Sequence, residues 1–325
     1  MLQRILSFLI SLPMVLLTLS APDLPGTQVE INADAVNAYI TDYGAPMVSA
    51  HRSGAGLAPE NTLMAIEACL KAKNFSIDIF EFDVQLTKDG QLVLLHDSTY
   101  DATSNAAEAF GHPYVTPAMY TLEELQVLNL GENFSIDGQT PYRGLRGGDI
   151  PANLRVTEFG ALLARIEKSK KRYRYIIEIK DGAVNGMKSI DRLYAILEEQ
   201  GLLDRAVIGT FWPLLPYYMD WRYPGMSRSA SIVECLQFYY YARTDGDLTR
   251  LRPRYAALQI PCESAVPWPL NQINFMSREI INYAHKYDIA AQYWTVNDEE
   301  TARLLKDNGC DAIMSDYPDM LWRMG

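Results

Sequence analysis

Carboxylates and a histidine crowd into one short stretch, Glu81 to Asp97, which reads EFDVQLTKDGQLVLLHD. In a strand, residues i and i+2 point to the same face. Glu81 and Asp83 therefore form a carboxylate pair aimed one way, with Phe82 aimed the other. Two hard oxygen ligands on one face suit a divalent cation. Lys88-Asp89-Gly90 supplies a tight turn, because Asp-Gly tolerates the positive φ a hairpin needs. Folding the arms back on that turn brings His96 and Asp97 towards Glu81 and Asp83, and a histidine there offers proton transfer. Taken alone, the stretch reads equally well as an ordinary hairpin with a polar face.

The surrounding elements decide whether other groups join it. Pro46–Ala50 is a short apolar strand that runs directly into His51-Arg52, and a Gly- and Pro-rich loop, SGAGLAPENT, follows. Asn61 or Thr62 then caps a helix, since LMAIEACLKAK has its apolar residues at helical spacing. Residues 77–86 form the next strand. Residues 98–150 repeat no strand–helix pattern and read as an insertion carrying a small subdomain, with a helix starting at Thr121. Alternation then returns. Strands are expected at 173–180, 205–210, 227–231, 256–260, 289–296 and 312–315, and helices at 157–169, 187–199, 212–224, 232–243, 277–287 and 299–308. The strand at 173–180 ends in Glu178-Ile179-Lys180 and the one at 289–296 contains Trp294. About eight strands in strand–helix order imply a parallel sheet and, at this length, an α/β fold of the (β/α)8 TIM-barrel type with an insertion after the second strand. A doubly wound open sheet is the alternative, but no GxGxxG fingerprint supports it.

The totals agree. The chain has 325 residues, and hydrophobic residues make up 48%, which is ordinary for a globular protein. Its formal net charge of −11 argues against a nucleic-acid partner, which would need a basic surface. The four cysteines, Cys69, Cys235, Cys262 and Cys310, make no CxxC or zinc-type spacing. Residues 1–20, MLQRILSFLISLPMVLLTLS, resemble a secretory signal peptide with a cut after Ser20. The chain is therefore expected to be exported: secreted, periplasmic or at the cell surface. The alternative is an uncleaved membrane anchor, though the apolar run is short and Pro13 interrupts it. Residues 21–45 form a lead-in segment, with a short helix expected over 31–44, and 46–325 form the barrel domain.

In a barrel of this kind, side chains at strand C-termini converge on one mouth. His51, Arg52, Glu81, Asp83, His96, Glu178, Lys180 and Trp294 fall there, with Glu60 and Asp316 as further candidates. Three carboxylates suit one Ca²⁺ or Mg²⁺ ion. Arg52 and Lys180 suit a phosphate, one as a planar fork and one as a point charge. Two histidines suit an acid and a base. Trp294 offers a flat apolar face. His112 and His285 lie outside this set and read as structural.

The ordered set resembles the glycerophosphodiester phosphodiesterase family. The resemblance rests on His51-Arg52, Pro59-Glu60-Asn61-Thr62, the 81–97 stretch, Glu178-Ile179-Lys180, Trp294-Thr295-Val296-Asn297 and Ser315-Asp316-Tyr317-Pro318. It implies a metal-dependent hydrolase that releases glycerol 3-phosphate and an alcohol from a small glycerophosphodiester. It implies metal ligation by Glu81, Asp83 and Glu178, an acid–base pair of His51 and His96, and phosphate binding by Arg52 and Lys180. Two departures stand out. Ser53 occupies a position where the family usually has glycine, and IPANLRV precedes Thr157 where the family usually has Ile-Pro-Thr-Leu-Glu-Glu. Two other functions stay open at this point: a lysophospholipase D-like enzyme that contacts membrane lipid, and a non-catalytic module that binds phosphate esters.

Overall fold

The structure is a computed structural model that describes residues 35–262 and 273–324. The leader at 1–20 and residues 21–34 of the lead-in lie outside the described residues. Among the described residues no helix is long and apolar enough to cross a membrane. The chain divides into two compact units.

The first unit comprises Val48–Met226 and Ser315–Arg323. Its strands are β1 (Met47–Ala50), β2 (Ile79–Leu86), β3 (Leu92–Leu94), β4 (Arg174–Ile179) and β5 (Ala206–Gly209). Four of them lie in the order β5-β4-β2-β1, with β2 parallel to both β1 and β4 and β4 parallel to β5. The helices are α1 (Leu63–Lys71), α2 (Ala106–Phe110), α3 (Leu122–Leu125), α4 (Phe159–Glu167), α5 (Ala183–Glu199) and α6 (Leu215–Arg222). Thr62 caps α1 by accepting a hydrogen bond from the Ala65 amide.

Strand β2 is buried along its whole length, and its alternation sorts the side chains into two faces. Phe80, Phe82, Val84 and Leu86 pack with Phe159, Leu162, Leu163 and Ile166 of α4 and with Ile190 and Leu193 of α5. Tyr175, Ile177 and Ile179 of β4 join the same core. The alternate residues Glu81, Asp83 and Glu178 are therefore turned to the opposite face of the sheet. The helices bury one face apolar, and that burial fixes which face carries the charges.

β2 pairs antiparallel with β3, with Gln85 opposite Val93. Gly90 sits at φ +78° in the turn, and the Gly90 amide donates to the Thr87 carbonyl at 3.0 Å. Residues 98–150 contain α2, α3 and short 3₁₀ turns. Tyr100, Val115, Leu125 and Leu128 of this segment gather with Val93 and Leu95 of the hairpin into a second apolar cluster. Thr121 and Glu124 form a reciprocal capping box at the start of α3.

The second unit comprises Ser227–Met314, the described residues up to Met47, and Met324. It carries α7 (Ile232–Arg243), β6 (Ala257–Pro261), α8 (Arg278–Lys286), β7 (Ala290–Trp294), α9 (Glu299–Asn308) and β8 (Ala312–Ser315), the last ending one residue beyond it. β7 runs parallel to both β6 and β8. The strand expected over 227–231 is reduced to isolated bridge residues at Arg228 and Ser229, with Ser229 paired in parallel to Ala257. Arg228 explains why: its buried guanidinium turns back to Glu234, at 2.8 Å and 2.9 Å, and to the Ser229 carbonyl, so the chain enters α7 at once. A final helix, α10 (Pro318–Arg323), follows β8.

The helix expected over 31–44 does not form in its described part, residues 35–44. The Asn37 side chain donates to the carbonyls of Ala256 and Asp288 and accepts from the Tyr39 amide, so it ties the segment down as turns instead. His285 has the structural role expected of it. Its Nε2 lies 2.9 Å from Asp311 Oδ2, both side chains are buried, and Asp311 also accepts the Thr41 and Ala291 amides. His112 contacts the Tyr120 hydroxyl at 2.7 Å. Among the described residues no cysteine forms a disulfide, and Cys69 and Cys310 are buried.

Candidate active site

The site begins where β1 ends. His51, Arg52 and Ser53 form a single 3₁₀ turn after Ala50, and Arg52, Ser53 and Gly54 follow one another at φ +47°, +70° and +100°. This left-handed run turns the Arg52 amide onto Glu81 Oε2, 2.6 Å away, and so joins the loop to the charged face of β2. Ser53 pays the steric cost of a side chain in that region, and its buried hydroxyl has no hydrogen-bond partner. Ser53→Gly is expected to raise unfolding stability by about 1 kcal/mol, since only glycine adopts this φ without strain; urea titration of the two chains measures it.

Asp83 and Glu178 are register partners across β2 and β4. Lys180 follows on the same face as Glu178. Its ammonium lies 3.0 Å from Glu178 Oε1 and 3.6 Å from Asp83 Oδ1. Asp83 is almost wholly buried and takes a hydrogen bond of 2.9 Å from the Asn61 amide group. Asn61 is at φ +54°, a conformation asparagine tolerates better than most residues, and its own amide donates to the Arg52 carbonyl. Asn61 therefore orients Asp83. Asn61→Ala is expected to lower divalent-cation affinity or activity by about 10–100-fold, the usual effect of losing a group that orients a ligand; calorimetric titration with Ca²⁺ and Mg²⁺ checks it.

Arg52 points its guanidinium at Glu60, with Nη1 3.0 Å and 3.2 Å from the two carboxylate oxygens. Its Nε is buried without a partner. The His51 Nδ1 lies 2.7 Å from Asp316 Oδ1, which comes from the loop after β8. At the end of the hairpin, the Leu95 amide donates to the Asp83 carbonyl, and His96 Nδ1 lies 2.9 Å from Asp97 Oδ1. Trp294 closes β7 in the second unit.

The electrostatics follow from the crowding. Burial pushes the Glu81 carboxyl well above the usual carboxylate range, and the neighbouring Asp83 charge adds to this. Glu178 is raised for the same two reasons, with Lys180 opposing. For His51, burial works to lower the pKa, but the hydrogen bond to Asp316 and the charges of Glu81 and Asp316 outweigh it, and the net shift is upward. Lys180 is likewise raised, because Asp83 and Glu178 overcome its burial.

The donor chemistry fits a hard divalent cation. Three carboxylates, Glu81, Asp83 and Glu178, share the face of the sheet opposite the apolar core, with the Lys180 ammonium beside Asp83 and Glu178. In this structure the cationic partner of Asp83 and Glu178 is the Lys180 ammonium. Among the described residues no three carboxylate, imidazole or thiol groups stand close enough together to hold a metal ion.

The sequence profile of the glycerophosphoryl diester phosphodiesterase family matches residues 51–320. The chain belongs to this family. Among its relatives in the family, Bacillus subtilis (strain 168) YhdW is 29% identical over 283 residues, which cover 86% of this chain and 97% of YhdW. The glycerophosphodiester phosphodiesterase of Caldanaerobacter subterraneus subsp. tengcongensis is 27% identical over 275 residues, covering 85% of this chain and 96% of that one. A solved structure of an Oleispira antarctica phosphodiesterase, in complex with the product sn-glycerol-3-phosphate, matches with a TM-score of 0.61 at 21% identity, covering 85% of this chain and 95% of that one. The likeness to family structures shows the fold, an α/β (β/α)8 barrel. The profile starts at His51, the first residue of the site loop, and takes in every candidate residue from Arg52 to Asp316.

Proposed function

We propose that this family member is a divalent-cation-dependent glycerophosphodiester phosphodiesterase using His51 and His96 as its proton-transfer pair. Glycerophosphodiester hydrolysis to glycerol 3-phosphate and an alcohol is the activity that the family and its named relatives support. The observation that carries the catalytic reading is the 2.7 Å contact of His51 Nδ1 with Asp316. A carboxylate holding one ring nitrogen fixes the tautomer and sets the other nitrogen as the proton-exchanging atom.

Glu81, Asp83 and Glu178 are the residues that would hold the cation, either Ca²⁺ or Mg²⁺. When bound, it would neutralise charge on a phosphodiester oxygen and lower the pKa of an adjoining hydroxyl. Arg52 and Lys180 bind the phosphate. His51 takes the proton from the substrate glycerol hydroxyl next to the phosphorylated carbon. That oxygen attacks phosphorus, the bond to the leaving alcohol breaks, and His96 supplies the proton the alcohol needs. Water then opens the cyclic phosphate, with His96 accepting its proton and His51 returning one to the glycerol oxygen. Intramolecular attack has an effective molarity of about 10⁵–10⁸ M, so proximity outweighs either proton transfer. A substrate lacking the neighbouring hydroxyl is expected not to turn over.

The test is ³¹P NMR of the products from glycerophosphocholine. Glycerol 3-phosphate supports the proposal; phosphocholine, from cleavage on the other side of phosphorus, would refute it. The pH profile tests the role of Asp316. Because Asp316 holds the His51 pKa up, Asp316→Asn lowers it, and neutral His51 persists to lower pH. The acidic limb of kcat/KM is then expected to move to lower pH, with a reduced plateau. An unmoved limb assigns that limb to another group.

A second reading, a lipid-sized substrate, has one observation in its favour. Phe211, Trp212 and Leu214, in the loop after β5, and Val184, at the start of α5, are about half or more exposed. The Trp212 indole donates to the Lys180 carbonyl, so this apolar patch adjoins the site. Exposed aromatic and aliphatic loops of this kind suit a membrane interface.

A further inference from the structure

A cleft of about 600 Å³ opens beside Arg52. Its walls include Glu60 and Asp97 from the site and Phe134 and Asp137 from the insertion, together with the Tyr317 ring. All of them belong to the first unit. Two features hold the rings in place. A Cβ at Gly56 would come within 2.3 Å of the Tyr317 ring, so the glycine lets that ring lie against the loop after β1. The Phe134 ring packs on Tyr142, with centroids 6.2 Å apart. The acidic side chains outnumber the basic one. Glu60 is bound to Arg52 and Asp97 to His96, while Asp137 is presented on the Ile136–Gln139 turn.

With the phosphate on Arg52 as proposed above, one of its two ester groups extends along the remainder of this cleft. We propose that the cleft seats the leaving alcohol and that Phe134, Tyr317 and Asp137 select an alcohol carrying an ammonium group over a neutral or anionic one. This rests on the diesterase reading above. An ammonium is attracted to the face of an aromatic ring and to a nearby carboxylate, whereas a neutral polyol gains neither attraction and an anionic alcohol is repelled. The insertion thus sets specificity while the strand ends carry the chemistry, a division common to barrel enzymes.

The experiment compares kcat/KM of the full chain on glycerophosphocholine and on glycerophosphoglycerol, whose alcohol is uncharged. The wild type is expected to favour the choline ester by about tenfold. Asp137→Asn and Phe134→Leu each lower the choline value by about three- to tenfold and the glycerol value by less, so the preference for the choline ester shrinks. Phe134→Leu keeps apolar bulk and removes only the ring, so it separates ring recognition from packing. Equal wild-type values on the two esters, or equal losses on both in the variants, would overturn the proposal while leaving the diesterase reading intact. No turnover of either ester overturns the diesterase reading, and this proposal with it.

Discussion

His51→Ala is expected to lower turnover of glycerophosphocholine by about 10²–10⁴-fold, the usual contribution of a positioned general base. His51 is buried and its ring is fixed by Asp316, so alanine removes the proton acceptor without freeing a strand or a helix. Folding should therefore survive, as circular dichroism can establish. The rate loss belongs to attack on phosphorus, and it persists when the leaving alcohol is replaced by an activated phenol. His96→Ala behaves differently on the same pair of substrates. An acid is needed only when the departing oxygen is a strong base, so the phenol ester recovers most of its rate in that variant. If the two variants exchange these responses, the roles of the histidines are reversed.

Asp83→Asn is expected to have the second largest effect. The substitution keeps the shape of the side chain and removes its charge from a face that also carries Glu81 and Glu178. Divalent-cation affinity should fall by more than about 100-fold, the loss that follows if Asp83 is itself a ligand, as proposed, rather than a group that orients one. Stability should change little. The lost attraction to Lys180, 3.6 Å away, is offset by relief of repulsion from Glu81 and Glu178. Isothermal titration with Ca²⁺ and Mg²⁺, beside a thermal melt, separates the two effects. Unchanged cation affinity would remove Asp83 from the ligand set.

The parts of the site that lie on regular strands were legible from local pattern. Period-two alternation put Glu81 and Asp83 on one face of β2, and the Asp-Gly turn folded β3 back on β2, so that the Leu95 amide reaches the Asp83 carbonyl. That Glu178 comes to the same mouth was expected from the parallel-barrel reading, but its register opposite Asp83 came only from the structure. Most element boundaries fell within a few residues of those expected. Contacts over long sequence separation left no local trace. Nothing near His51 announces Asp316, and nothing near Arg52 predicts that its guanidinium turns to Glu60. Asn61 was legible only as a helix start. Its role with Asp83 depends on a left-handed φ, for which the one signal is that asparagine tolerates that region. The helix expected over 31–44 shows the opposite error, because apolar spacing was outweighed there by the bonds of the Asn37 side chain.

The most direct test of the account is release of glycerol 3-phosphate from glycerophosphocholine by the purified chain, measured with divalent cation and with chelator, for the wild type and for His51→Ala. The account predicts release by the cation-loaded wild type alone. Release that survives both chelation and loss of His51 would contradict it and place the chemistry outside the His51, Glu81, Asp83 and Glu178 site.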